Sequence, residues 1–160
     1  MNRYINPASD LNCGSGDGLR LDWEHTQRAA VLPLSSAQLG IWFAQKLQVS
    51  SSAYKIGEYI EIEGPIDPIL FEEALQQVVL ETEALRVQIE EHFGEPRQIL
   101  GALPSWSMPF LDLTAASDPS AEARAWMQAD LSRPIEPTRG PLFSFALLKI
   151  SSGRFFWYAG

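Results

Sequence analysis

The 160-residue chain has a single cysteine, Cys13, and only two histidines, His25 and His92. One cysteine supports neither a disulfide framework nor a zinc site, and it is typical of a reducing cytoplasm. The two histidines are far apart in the sequence and neither has a nucleophile beside it, so both are interpreted as solvated side chains. No metal-ligand spacing is present. Residue spacing alone therefore predicts no catalytic constellation, no metal site and no bound cofactor.

Basic residues are also few. Twelve Lys and Arg against 20 Asp and Glu give a net charge of −8, which argues against a phosphate-binding surface and hence against a nucleic-acid partner. No apolar run approaches the length of a membrane span. No glycine-rich loop follows a predicted strand, so a phosphate-binding loop is not predicted either. The N-terminus lacks the basic stretch and apolar stretch of a secretory signal. We therefore expect a cytoplasmic protein with no membrane partner.

Residues 1–30 are predicted to form a poorly ordered leader, because a Gly- and Ser-rich segment cannot bury a core. Residues 31–160 carry alternating helix and strand patterns. These patterns predict, in order, a helix from Ser35 to about Val49, a strand Tyr59–Glu63, a helix after Asp67, a hairpin from Leu85 to Leu100, a strand Phe110–Leu113, a helix after Asp118 and a hairpin from Phe143 to Tyr158. This order is typical of a mixed α/β layer fold rather than a regular βαβ repeat.

Each predicted helix has a start signal. Ser35 and Gln38 have the spacing of a capping box at the first helix. Asp67 and Asp118 are each followed by proline, which favours the first position of a helix behind an N-cap. These signals predict where each helix begins.

Two charged features of the sequence are candidates for a functional role. Glu61 and Glu63 share one strand face and could suggest paired carboxylates, but a solvated face is the preferred interpretation. Arg86, at the start of a predicted strand, is either an exposed arginine or one that turns inward to pair with a carboxylate. Composition does not decide between the two interpretations of Arg86.

The last residues before Ala159 are four consecutive aromatics, Phe155 to Tyr158. A complete domain rarely exposes such a strand at its end, because an apolar edge strand invites pairing with another chain. We therefore expect a fold interrupted in mid-strand. We also expect the aromatic strand to leave an unpaired edge or an exposed apolar face, through which the chain could self-associate.

The segment from Leu32 to Trp42 resembles the opening motif of condensation domains from nonribosomal peptide synthetases. The family pattern is Ser-x-Ala-Gln-x-Arg-Leu/Met-Trp/Tyr. The matching residues are Ser35, Ala37, Gln38 and Trp42, with Gly40 in place of the arginine. The Gly40-Ile41-Trp42 form is most similar to catechol-siderophore synthetases of the enterobactin and bacillibactin type.

A second segment resembles the next motif of the same family, His-Glu-x-Leu-Arg-Thr. Glu83, Leu85 and Arg86 match, while Thr82 replaces the histidine and Val87 the threonine. Three further segments follow the family pattern in order: Trp126–Pro134, Pro141–Phe143 and Arg154–Tyr158. The resemblance therefore covers about residues 31–158. The resemblance implies an α/β fold, the first and incomplete lobe of a chloramphenicol-acetyltransferase-like two-lobed condensation domain.

The resemblance also implies a parent enzyme that forms amide bonds between groups carried on phosphopantetheine arms. Its implied partners are donor and acceptor carrier proteins and the remaining synthetase domains. In the family, a His-His-x-x-x-Asp-Gly motif follows a few residues after the Trp-Tyr strand. Its second His deprotonates or positions the attacking amine, and its Asp pairs with the arginine that matches Arg86. The sequence ends before that motif, so we expect the chain alone to be inactive. A non-catalytic carrier-binding module and a related acyltransferase lobe outside the synthetase family remain as alternatives.

Overall fold

Seven strands and three α-helices make up the part of the chain that the computed structural model describes, residues 30–47, 54–101, 106–138 and 140–160. They are, in order, β1 (Ala30–Pro33), α1 (Ser36–Leu47), β2 (Glu58–Glu63), α2 (Pro68–Glu81), a 3₁₀ segment (Glu83–Arg86), β3 (Val87–His92), β4 (Glu95–Leu100), β5 (Phe110–Asp112), α3 (Pro119–Leu131), β6 (Phe145–Ser151) and β7 (Arg154–Ala159). The predicted mixed α/β fold is confirmed. The predicted leader, apart from Ala30, and the predicted end of the first helix at Val49 lie outside the described residues.

The strands form two sheets. The smaller has the order β1-β4-β3 and is antiparallel throughout. The larger has the order β2-β7-β6-β5, in which only β5 and β6 are parallel. Helix α3 connects these two parallel strands, as a crossover between parallel neighbours requires.

Both faces of the larger sheet are covered. On one face, Ala123 and Met127 of α3 pack in a core cluster with Phe156 and Tyr158 of β7. On the other face, Leu75 of α2 packs in a second cluster with strand residues that include Phe155. Because successive side chains of a strand point to opposite faces, β7 contributes aromatics to both clusters.

The expectation that the aromatic strand exposes an edge or an apolar face is wrong. Strand β7 pairs with β2 on one side and β6 on the other. Phe155, Phe156 and Tyr158 are 3%, 1% and 1% exposed, and Trp157 is half-buried. A strand that is covered on both faces needs a continuous apolar run rather than alternation, which explains the four aromatics. The apolar surface of β7, through which self-association was predicted, is therefore covered by other parts of the same chain.

Two other expectations need correction. Strand β1 was not predicted, yet Ala30–Pro33 pairs with Arg97–Leu100 of β4. Leu85 and Arg86, predicted to begin a strand, lie instead in the 3₁₀ segment, and β3 begins at Val87. The short 3₁₀ turn completes the connection that leads the chain from α2 into β3.

The helix start signals of α2 and α3 are confirmed. The Asp67 carboxylate accepts hydrogen bonds from the backbone N–H groups of Ile69 and Leu70, at 2.9 and 3.4 Å. The Asp118 carboxylate accepts one from the N–H of Ala121 at 2.9 Å. Each cap satisfies backbone donors that the first turn of a helix leaves without an intrahelical partner.

Candidate functional site

The first motif forms the start of α1 through the predicted capping box. The backbone N–H of Ser35 donates to Oε1 of Gln38 at 2.8 Å, and the backbone N–H of Gln38 donates to Oγ of Ser35 at 3.3 Å. These two reciprocal bonds are the geometry that defines the box. They place Ser35 just before the helix and turn the Gln38 side chain back toward it.

Gln38 also connects α1 to the smaller sheet. Its Nε2 donates to Oε1 of Gln98 on β4 at 3.4 Å, and Nε2 of Gln98 donates to the carbonyl of Pro33 on β1 at 2.9 Å. The start of α1 is therefore held against β1 and β4 by a chain of amide hydrogen bonds. This network explains why the motif uses glutamine, which can accept at its oxygen and donate at its nitrogen.

The other residues of the first motif differ in burial. Trp42 is 5% exposed and Ala37 lies on the surface. The Lys46 ammonium lies 5.0 Å from the centre of the Trp42 ring and pairs with Glu91 of β3 at 2.8 Å. A Cβ added at Gly40 would meet nothing within 4 Å, so contact at the Cβ position does not require glycine where the family pattern has arginine.

The second motif lies in the 3₁₀ segment between α2 and β3. Glu83 is exposed, whereas Leu85 and Arg86 are half-buried. Nε of Arg86 is buried and has no hydrogen-bond partner among the residues described. The interpretation of Arg86 as an exposed strand arginine is therefore wrong, because Arg86 is half-buried and lies in a 3₁₀ segment. A buried N–H without an acceptor is costly.

The two motifs meet at one open cavity of about 390 Å³. Gln38 and Trp42 of the first motif and Glu83 of the second line it. Its remaining walls are mostly apolar side chains of α1 and the smaller sheet, among them Ile41, Val87 and Leu100. The structure therefore brings together segments that are more than forty positions apart in the sequence.

A buried polar cluster, which the sequence analysis missed, lies where the end of α3 covers the larger sheet. Oδ2 of Asp130 accepts hydrogen bonds from Nζ of Lys55 at 2.7 Å, from Oγ of Ser144 at 2.7 Å and from the hydroxyl of Tyr158 at 2.9 Å. The Lys55 and Asp130 side chains are 8% and 10% exposed. We call these four residues the Asp130 cluster.

One signal in the sequence could have indicated the cluster. Asp130 lies three residues after Met127 and seven after Ala123, on the apolar stripe of α3 that the periodicity predicts. An aspartate on such a stripe is buried only when it is paired. Its partners, however, come from three other parts of the chain and carry no local pattern.

The cluster holds its groups in defined protonation states. Burial by itself raises the pKa of Asp130, but the three hydrogen bonds that its carboxylate accepts, together with the charge of Lys55, outweigh it and hold the pKa below its ordinary value. Burial and the Asp130 carboxylate raise the pKa of the Tyr158 phenol to about 12. At neutral pH the carboxylate is therefore charged and the phenol is a hydrogen-bond donor.

Two glycines let the backbone approach Tyr158 closely. A Cβ at Gly57 would lie 2.8 Å from Cδ2 of Leu131 and 3.0 Å from the Tyr158 ring, and a Cβ at Gly160 would overlap the Tyr158 hydroxyl. A larger side chain at either position would push the chain away from the cluster. The close packing therefore depends on glycine at both positions.

The remaining candidates that the structure describes, His92 and Glu61, are exposed side chains. His92 lies at the end of β3, exposed, with Nε2 3.1 Å from Glu90, while His25 is outside the described residues. Glu61 is exposed and pairs with Arg154, whose hydrogen bond lowers the pKa of the Glu61 carboxyl. Within the described ranges, no three His, Cys, Asp or Glu side chains are placed to hold a metal ion. No helix in the same ranges is long and apolar enough to cross a membrane.

A family model described as the condensation domain matches residues 28–160. The match includes both motifs, the cavity between them and the whole larger sheet. The chain belongs to the condensation domain family. The resemblance to this family is thereby confirmed, and so is the fold class that it implied.

Known proteins agree with this assignment. The chain is 42% identical over 155 residues to the isonitrile lipopeptide synthase of Streptomyces coeruleorubidus, covering 96% of this chain and 10% of that protein. It is 34% identical over 129 residues to enterobactin synthase component F of Escherichia coli K12, covering 79% of this chain and 10% of that protein. The solved starter condensation domain of rhizomide synthetase is 48% identical, with a TM-score of 0.78 over 81% of this chain and 32% of that one. The chain therefore spans about a tenth of these two synthases and a third of a solved condensation domain.

Proposed function

We propose that this chain is part of an amide-forming condensation enzyme of nonribosomal peptide synthesis. In this proposal the parent transfers an acyl group from the phosphopantetheine thioester of a donor carrier protein to the amine of a substrate on an acceptor carrier protein. The match of the condensation family model to residues 28–160 carries the proposal. The meeting of Gln38, Trp42 and Glu83 at one cavity supports it, because residues of the two family motifs are close together in the fold.

The base that takes the proton of the attacking amine is proposed to lie on the segment that follows β7 in the parent. A general base must reach within about 2.6–3.2 Å of the proton that it takes. His92, the histidine within the described ranges, is exposed at the end of β3 and paired with Glu90, so it is a poor candidate. The buried Nε of Arg86, without an acceptor among the described residues, supports a carboxylate partner from that following segment.

The test compares the complete condensation domain of the parent with the 160-residue chain. Each is mixed with loaded donor and acceptor carrier proteins, and the amide product on the acceptor is detected by mass spectrometry. We expect product from the complete domain and none from the chain alone. Turnover by the chain alone, abolished by His25→Ala or His92→Ala, would overturn the proposal. Binding of both loaded carriers by the complete domain without turnover would indicate a carrier-binding module instead.

A catechol acyl group is the proposed donor, because of the Gly40-Ile41-Trp42 form and the relationship to enterobactin synthase component F.

One observation favours a second candidate, a medium-chain fatty acyl group. The starter condensation domain of rhizomide synthetase, 48% identical to this chain, was solved in a variant form in complex with C8-CoA. Competition between dihydroxybenzoyl and octanoyl donors for one acceptor carrier decides between them. Predominance of the octanoyl product would contradict the catechol assignment.

A further inference from the structure

The Asp130 cluster joins four separate parts of the fold through one carboxylate oxygen. Lys55 precedes β2, Asp130 lies at the end of α3, Ser144 precedes β6 and Tyr158 lies near the end of β7. Nζ of Lys55 also donates to the backbone carbonyl of Asp130 at 2.8 Å. A cation beside the last carbonyls of a helix is favourable because the C-terminal end of the helix dipole is negative.

Stability alone is a weak reason for such a cluster. Buried ion pairs pay a large desolvation cost, and well-packed apolar residues of similar volume are often as stable or more stable. What a buried hydrogen-bond network provides in addition is one defined arrangement of the groups that it joins. The structure shows which segment this arrangement holds.

That segment is the end of β7. The backbone of Ser144 exchanges two hydrogen bonds with Gly160: its N–H donates to the Gly160 carbonyl at 2.7 Å, and its carbonyl accepts from the Gly160 N–H at 2.8 Å. The Ser144 hydroxyl donates to Asp130 at the same time. Gly160 also lies so close to the Tyr158 hydroxyl that a Cβ would overlap it. The path of the chain at Gly160 is therefore set by contact with the cluster.

We propose that Lys55, Asp130, Ser144 and Tyr158 are positioning residues that set the direction in which the chain leaves β7. The inference rests on the proposed function, in which the segment after β7 carries the catalytic histidine. The cluster would act on the reaction only through Gly160. A displacement of about 1 Å at a reacting group can lower the rate about 100-fold, so an anchor one segment away matters for turnover.

The first experiment measures hydrogen exchange in the complete condensation domain of the parent. Ser144→Ala and Tyr158→Phe each remove one hydrogen bond to Asp130 with little change of shape. We expect faster exchange of peptides that contain Gly160 and unchanged exchange at the other end of the same hairpin, near Gly153. Unchanged exchange at Gly160, or equal acceleration along the whole hairpin, would overturn the inference.

A matched control is available in the same sheet. Lys149 and Asp112 form a second lysine–aspartate pair at 2.9 Å, on β6 and β5, with side chains 29% and 44% exposed. This pair does not contact Gly160 by any hydrogen bond in the described residues. Lys149→Met should therefore leave exchange at Gly160 as it is in the wild type.

The second experiment measures amide formation by the same variants. For Tyr158→Phe and Ser144→Ala we expect kcat to fall about tenfold or more, with KM for the acceptor carrier protein unchanged, because carrier binding does not depend on the base. Lys149→Met should match the wild type. Folded variants with wild-type kcat, or an equal change in kcat and KM, would overturn the inference.

A charge-balanced variant separates positioning from the loss of an ion pair. Lys55→Met leaves the Asp130 carboxylate buried and unpaired, whereas Lys55→Met/Asp130→Asn removes both charges and keeps an oxygen that accepts from Ser144 and Tyr158. We expect the double variant to recover most of the kcat that the single variant loses; failure to do so in a folded double variant would count against the inference. If the wild-type domain forms no amide at all, the proposed function fails, and the exchange experiment still tests the positioning.

Discussion

Phe93 and Gly94 form the tip of the β3–β4 hairpin, and both have positive φ angles, 54° and 83°. The last pair of the ladder, His92 with Glu95, directly flanks them. A two-residue hairpin with positive φ at both positions is the type I′ arrangement, for which Asn-Gly is the preferred sequence. Phenylalanine is an unusual residue there, because its Cβ crowds the following carbonyl in the left-handed region.

Phe93→Asn should therefore stabilise the fold. Phe93 is fully exposed, so its replacement loses no buried contact. We expect the free energy of unfolding to rise by about 1 kcal/mol, measured by urea denaturation. Phe93→Leu, which keeps the strained Cβ, should leave the stability near the wild-type value. Destabilisation by the asparagine would show that the aromatic ring contributes to the fold.

Ser35→Ala tests the capping box of α1. It removes the oxygen that accepts from the Gln38 backbone at 3.3 Å. We expect a loss of about 1 kcal/mol in the free energy of unfolding. Ser36, the first residue of α1, is an adjacent control, and Ser36→Ala should change little because alanine is a good helix former. Equal effects at both serines would contradict the capping role.

The raised pKa of Tyr158 predicts that the folded protein loses stability at high pH. The pKa of its phenol is raised to about 12 in the folded protein, against about 10 for an unperturbed tyrosine. The neutral phenol therefore stabilises the fold fully below about pH 10, and this contribution is lost as the pH rises from about 10 to 12. Urea denaturation at several pH values should show this loss in the wild type and a smaller one in Tyr158→Phe. Parallel curves for the two proteins would disprove the linkage.

Arg86→Met tests the missing acceptor. In the 160-residue chain the substitution removes a buried N–H that has no partner among the described residues, so we expect little loss of stability. In the complete parent domain, where we propose a carboxylate partner, the substitution should cost roughly 3–5 kcal/mol, as for a broken buried pair. Chemical denaturation of both proteins with and without the substitution measures the difference. An equal loss in both would contradict a partner that only the complete domain supplies.

Short-range signals explain why most of the fold was predictable from the sequence. The caps at Asp67 and Asp118 use hydrogen bonds that span two or three residues, so a few letters suffice to recognise them. Strand β1 carries no such signal: it has four residues, and its ladder partners in β4 lie more than sixty positions away. A strand this short is defined by its partner and not by its own pattern.

Strand β7 shows where a local pattern is ambiguous. Four consecutive aromatics suit an exposed edge and a buried centre equally well as a sequence. The tertiary structure decides for the centre, because β2 and β6 pair with both edges and α2 and α3 cover the two faces. That coverage comes from residues distant in sequence, which periodicity within the strand does not reveal.

Local patterns predicted the helices, most of the strands and the two motifs that resemble the condensation family, since these depend on neighbours a few residues apart. Only the tertiary structure showed that Gln38, Trp42 and Glu83 line one cavity and that Nε of Arg86 is buried. Only the tertiary structure showed the Asp130 cluster, because its hydrogen bonds join residues 75, 28 and 14 positions apart. The physical reason is that burial and pairing of polar groups depend on how separate elements pack, and packing at that distance leaves no local pattern in the chain.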